Sequence, residues 1–118
     1  MMNNFLIVGR FKSFKEAPEY GKDAIMVSVT CPRSYKNEEG IYETDTFDII
    51  LRGNIATNTL DYCKKGDIAG FKGSLQSLIY EENGQKYRRT LLIADRISFL
   101  SSKSRPDEEV DLDVNSEE

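Results

Sequence analysis

The sequence predicts an all-β domain: a five-stranded Greek-key barrel with one helix between its third and fourth strands. Three observations carry that expectation. Runs rich in β-branched and aromatic residues, each bounded by turn residues, recur as far as about Leu100. Only one segment has helical periodicity, and it falls between the third and fourth runs. Gly70 and Gly73 interrupt the fourth run, as a bulge or bend that curls a sheet towards closure would.

The first strand spans Phe5 to Phe11, and a turn-rich stretch with Pro18 and Gly21 follows. Ile25 to Cys31 is the second strand, which Pro32 is expected to end because it has no N–H to donate. Residues 33 to 45 are polar around Gly40 and read as a long hairpin loop, and Thr46 to Leu51 is the third strand. In the helix, Ala56, Leu60 and Cys63 fall on one stripe, with Ile55, Thr59 and Tyr62 beside them. Asn54 is placed to cap its start, and Lys64-Lys65-Gly66 reads as its end. The fourth strand runs from Ile68 to about Tyr80, and Asn83-Gly84 is a strong hairpin turn. Tyr87 to Leu100 is the fifth strand. This order is that of the OB-fold, with the helix plugging the open end of the barrel.

At 118 residues the chain fits one domain. Its apolar runs, such as Phe5 to Val8, are far shorter than the ~18 residues of a membrane span. No secretory leader is visible, so a cytoplasmic protein is expected. Histidine is absent, which removes Ser-His-Asp and Cys-His catalysis and histidine metal ligation. Cys31 and Cys63 form no CxxC and read as buried thiols in a reducing compartment, although spacing alone also allows a disulfide. Glu38-Glu39 and Glu81-Glu82 sit beside loop glycines and read as solvated turn charges. Gly66 and Gly73 form no phosphate loop. The expected protein is not an enzyme and calls for no cofactor or metal.

The net charge of -4 is unevenly spread. Residues 106 to 118 hold seven of the 20 acids and no Lys or Arg, a charge of -7. Residues 1 to 105 hold the other 13 acids and all 16 cations, a charge of +3. With only Val110, Leu112 and Val114 to bury, the tail is expected to be disordered. It is either a solubilising end or a competitor for a basic groove. The expected organisation is therefore a folded domain over residues 1–102 and an acidic tail over 103–118.

What chemistry remains is aromatic and cationic. Tyr35 lies between Arg33 and Lys36, Phe47 opens a strand that leads to Arg52, and Tyr80 faces Tyr87 near a hairpin tip with Arg88 and Arg89 beside it. Single-stranded nucleic acid needs these two ingredients, π-faces for bases and cations for phosphates. Phe5, Phe11, Phe71 and Phe99 read as core, and Tyr42 and Tyr62 as loop and helix edges. Tyr35, Phe47 and Tyr80 fit a core less well and read as a binding surface.

From Asn4 to about Ser102 the chain resembles the bacterial-type single-stranded DNA-binding proteins. The likeness rests on Asn4 to Arg10, Ser34-Tyr35-Lys36, Gly40 to Phe47, Tyr62 to Asp67, Gly73 to Gln76 and Asp95 to Leu100. The resemblance implies an OB-fold that coats single-stranded DNA, as a homotetramer or at least a dimer, with neighbouring first strands paired. It places base stacking on Tyr35, Phe47, Arg52 and Tyr80, and phosphate contact on Lys36 and Lys65. Arg10, Lys12, Arg33, Lys72, Arg88 and Arg89 complete the expected positive field. Gln76 to Ile79 lack the cations frequent there in the family, which implies fewer phosphate contacts and a shallower salt dependence. The chain ends Asn115-Ser116-Glu117-Glu118, without the closing Pro-Phe with which family members dock replication proteins, so recruitment of such partners through the tail is in doubt. Two other readings stay open: an OB-fold interaction module of a replication assembly, and RNA as the working ligand.

Overall fold

Alternation along the strands decides which side chains meet inside the barrel. In β1 (Phe5–Glu16), Phe5, Ile7 and Phe11 turn inward while Leu6, Val8 and Arg10 face out. The computed structural model describes residues 1–102; the acidic tail expected over 103–118 lies outside them. After β1 come a short 3-10 turn (Pro18–Tyr20), β2 (Ile25–Lys36), β3 (Tyr42–Leu51), helix α1 (Gly53–Tyr62), β4 (Ile68–Glu82) and β5 (Gln85–Ser101). The strands close in the order β1-β2-β3-β5-β4, antiparallel except where Ile49 and Ile50 of β3 meet Leu92 and Ile93 of β5 in parallel. This is the expected five-stranded OB barrel with one helix between its third and fourth strands.

Val27 and Val29 of β2, Ile49 and Leu51 of β3, Ala69 and Phe71 of β4 and Ala94 of β5 fill the interior around Phe11. The rings of Phe11 and Phe71 meet edge to face at 5.5 Å. Ala56 from α1, and Cys63 just beyond it, join this core, so the helix covers one end of the barrel. Closure depends on Gly73, where the β4–β5 register shifts. A Cβ there would stand 1.9 Å from the Ile93 carbonyl oxygen, so no side chain fits. The β4–β5 turn uses Asn83 at φ 54° and Gly84 at φ 79°, the left-handed pair a tight hairpin needs. No helix among the described residues is long and apolar enough to cross a membrane.

Several local expectations are corrected. Pro32 does not end β2, which continues to Lys36; the β2–β3 register shifts between them, and an irregular ribbon edge tolerates a missing N–H. Residues 33 to 45 are therefore mostly strand, and the loop shrinks to residues 37–41. The buried helical positions are Ala56 and Thr59, whereas Leu60 and Tyr62 are exposed. The stripe runs 56, 59, 63, and Leu60 sits on its rim. Asn54 lies inside the helix; Arg52 holds the cap position without a side-chain capping bond. Phe99 is exposed, because it lies at the end of the barrel beside the register shift between Ile68 and Ala69. The first strand is not an edge along its whole length. It pairs with β4 over Phe5–Arg10 and with β2 over Arg10–Glu16. Among the described residues, Phe5–Gly9 has only β4 as a strand neighbour, Phe11–Glu16 has only β2, and Arg10 is paired on both sides.

Candidate nucleic-acid interface

The same alternation that fills the barrel builds a second cluster on its outer wall. Ile50, Leu91 and Ile93 are nearly buried there, packed by Met26, Leu78 and Tyr20. In the β4–β5 ladder, Leu78 pairs with Arg89 and Tyr80 with Tyr87, so these residues continue the outer face along the hairpin arm. The rings of Tyr80 and Tyr87 stack at 5.5 Å and 27°, and they are 38% and 42% exposed. Arg89 Nη2 donates a hydrogen bond to the Tyr20 hydroxyl at 2.5 Å. That bond ties the 3-10 turn to the hairpin across 69 positions of sequence. Arg52 extends its aliphatic chain towards Gly21, next to Tyr20. Ser28 Oγ donates to Asp48 Oδ1 at 2.6 Å further along the β2–β3 wall. The result is a band of tyrosine, arginine and aliphatic surface, in which flat apolar faces alternate with fixed positive charge.

The sequence-predicted residues do not all lie on this band. Tyr80, Arg89 and Arg52 do. Arg88 does not: successive strand residues face opposite sides, and Arg88 pairs with Ile79 on the reverse of the hairpin. Phe47 is half-buried and packs against the barrel core, on the face it shares with Ile49 and Leu51. The expectation that Phe47 stands apart from the core is corrected, since its partner Val29 is fully buried. Tyr35 is 64% exposed on the β2–β3 arm, and Lys36 Nζ sits 5.6 Å from the centre of the Tyr42 ring. Arg33 is not a free cation. It donates to Asp45 through Nε and Nη2 and to Glu43 through Nη1, at 3.1, 2.9 and 2.6 Å. Its hydrogen bonds hold the Asp45 carboxyl below the ordinary carboxylate range.

The remaining cations lie elsewhere on the wall. Arg10 Nη1 donates to the Gly66 carbonyl at 2.6 Å, which puts it beside Lys65. Exposed Lys12 follows Phe11, whose carbonyl accepts from Gly66 N–H. Lys72 pairs with Arg96 and lies eight residues down β4 from Tyr80, on the order of 25 Å at strand spacing. Both cysteines are free thiols. Cys63 is buried, and desolvation pushes its pKa up to about 11. Cys31 is only half-buried and donates to the Val8 carbonyl at 2.9 Å. Sequence reasoning missed Tyr20 as a member of the band. A tyrosine in a turn after proline carries no periodic signal, and its partner Arg89 is remote in the chain. Tyr87 was legible as the residue opposite Tyr80, but not as half of a stacked pair.

A closed barrel of this strand order, carrying stacked tyrosines and arginines on its outer wall, is an OB-fold protein with a surface suited to unpaired bases. Residues 2–100 match the Single-strand binding protein family, and the chain belongs to that family. It is 33% identical over 115 residues to Single-stranded DNA-binding protein 1 of Staphylococcus aureus strain MSSA476, across 95% of this chain and 74% of that one. It is 33% identical over 108 residues to Single-stranded DNA-binding protein B of Bacillus subtilis strain 168, across 89% and 96%. Among solved structures, the fold matches a Plasmodium falciparum SSB in complex with ssDNA at a TM-score of 0.68 and 21% identity, across 86% of this chain and 96% of that one. It also matches the S. cerevisiae mitochondrial protein Rim1 at 0.65 and 22%, across 88% and 100%.

Proposed function

We propose that this protein binds and protects single-stranded DNA, without sequence preference, during replication, recombination or repair. The observation that carries this reading is the exposed Tyr80–Tyr87 stack, set among Arg89, Tyr20 and Arg52 on one outer face. Every base has a π-face, so stacking is tolerant of sequence, and the nearby guanidinium groups meet phosphate or stack in turn. Tyr35 supplies a further platform on the β2–β3 arm. Membership of the family, whose relatives in Staphylococcus and Bacillus carry this activity in their names, points the same way. Residues 1–102 are the binding domain in this reading, and residues 103–118 an acidic appendage that competes for the same cations.

The protomer is proposed to associate through the Phe5–Gly9 half of β1. That half has one strand neighbour and exposes Leu6 and Val8 at 75% and 53%, a combination that invites pairing with a second copy. A homotetramer is the arrangement the family resemblance implies.

The test is a titration of labelled oligo-dT at two salt concentrations, with matched duplex and matched RNA as competitors. Tight binding that duplex barely displaces is expected. Weak binding that vanishes at moderate salt would refute the coating role and leave charge attraction alone. Displacement by RNA at parity would reassign the ligand.

A further inference from the structure

Beyond Cys31, whose Sγ still donates to the Val8 carbonyl of β1, β2 pairs only with β3 among the described residues, so Pro32 to Thr44 form a two-stranded ribbon that leaves the barrel. Such a ribbon is marginal on its own in water. It also carries a bulge between Pro32 and Lys36, where ladder pairing is interrupted. Something other than the ladder has to hold it straight, and the side chains provide it. Arg33 grips Asp45 with two bonds and Glu43 with a third. Glu43 in turn accepts from Asn37 Nδ2 at 3.3 Å. Asn37 Oδ1 accepts from the Glu39 and Ile41 N–H groups at 2.8 and 3.0 Å, which fastens the turn. One continuous network therefore runs from the bulge to the tip of the arm. Isolated surface ion pairs contribute little, but a bidentate arginine within a network is the case where geometry counts. Tyr35 stands two residues beyond Arg33 on the same strand.

We propose that Arg33, Asp45 and Glu43 form a clamp that holds the β2–β3 arm and presents Tyr35 to a base. Arg33 is then a positioning residue rather than a phosphate contact. This inference rests on the single-stranded DNA reading above and adds what the arm's own charges do for it. An ordered arm meets the DNA without the entropy of fixing a mobile ribbon at the moment of binding.

The two roles for Arg33 make opposite predictions for its acidic partners. Asp45→Asn with Glu43→Gln removes two negative charges, which by electrostatics alone tightens binding to a polyanion. The clamp predicts the reverse: oligo-dT binding weaker by about 3- to 10-fold, a fraction of one base stack. The slope of affinity against salt stays that of wild type, and Arg33→Gln gives the same loss with the same slope. Adding the acidic pair of changes to Tyr35→Ala costs nothing further, because they act through that ring. Amide exchange over residues 37–42 speeds up in the variant, while thermal unfolding stays cooperative, since all three charged groups lie outside the barrel core. Tightened or unchanged binding in the acid-neutralised variant overturns the clamp. So does unchanged exchange in the arm, or an Arg33→Gln slope shallower by ~0.7, the value for one lost phosphate on a single strand. Wild-type protein that fails to bind oligo-dT would instead overturn the functional reading itself, and the clamp with it.

Discussion

Tyr80→Ala tests the stacking surface most directly. In the Tyr80–Tyr87 pair each ring turns one face to the other, at a centroid distance of 5.5 Å, which leaves one outward face each. If a base covers the outward face of Tyr80, the substitution removes one stack of ~1–3 kcal/mol. At 1.4 kcal/mol per decade this weakens binding by about 5- to 150-fold. Tyr87→Ala removes the ring behind Tyr80, worth ~0.5–1.5 kcal/mol as an aromatic pair, and is expected to cost about 2- to 12-fold. Tyr80→Phe keeps the ring and is expected to keep the affinity. Tyrosine carries no charge, so none of the three changes alters the salt slope. The assay is fluorescence anisotropy of a labelled oligo-dT at two salt concentrations, with circular dichroism to verify the fold. Equal affinities for wild type and Tyr80→Ala at both salts would refute the argument, since no other outward face of that ring exists to lose.

Four further outcomes are expected. Arg89→Gln weakens oligo-dT binding and makes the salt slope shallower, whereas Arg88→Gln, on the reverse of the hairpin, does neither; parity between them in the same titration would contradict the strand alternation. Gly73→Ala forces a Cβ against the Ile93 carbonyl and is expected to destabilise the barrel by ~1–3 kcal/mol or more in urea unfolding. The Cys63 thiol rises from 9.0 to about 11 in the folded barrel, so the folded state keeps a proton that the unfolded chain releases; the stability it contributes is complete below pH 9 and is lost as pH rises through 11. Cys63→Ala is expected to flatten that alkaline limb in unfolding measured across the range. Deleting residues 106–118, which carry seven acids and no cation, tightens DNA binding most at low salt; identical affinities with and without them would exclude competition by the tail.

What was legible in the sequence followed from local chemistry. Asn83-Gly84 announced its hairpin because few other dipeptides accept two left-handed residues in a row. Gly73 announced a bulge or bend because a glycine inside a strand often marks one. Tyr80 opposite Tyr87 could be read by counting back from that turn. Most of the misses have a different cause, contacts between segments far apart in the chain. Pro32 looked like a strand end, yet the ribbon edge there has no β1 partner to satisfy. Leu60 belonged by type to the buried stripe, but α1 buries the small Ala56 and Thr59 instead and leaves Leu60 exposed. Phe47 looked free because polar residues flank it, though alternation places them on the opposite face. The cations were countable from sequence but not sortable. Only the register separates Arg88 from Arg89, and only the ion pairs remove Arg33 from the free charge.

The two hairpin arms have a consequence for how this molecule can change. Tyr35 and the Tyr80–Tyr87 pair lie on ribbons outside the close-packed interior, whose large fully buried side chains sit on other segments. Alterations to ring identity, arm length or arm charge therefore leave the interior untouched. The length of strand covered and the grip on it can be retuned by editing two short stretches. The molecule separates what must be kept for folding from what can be varied for grip.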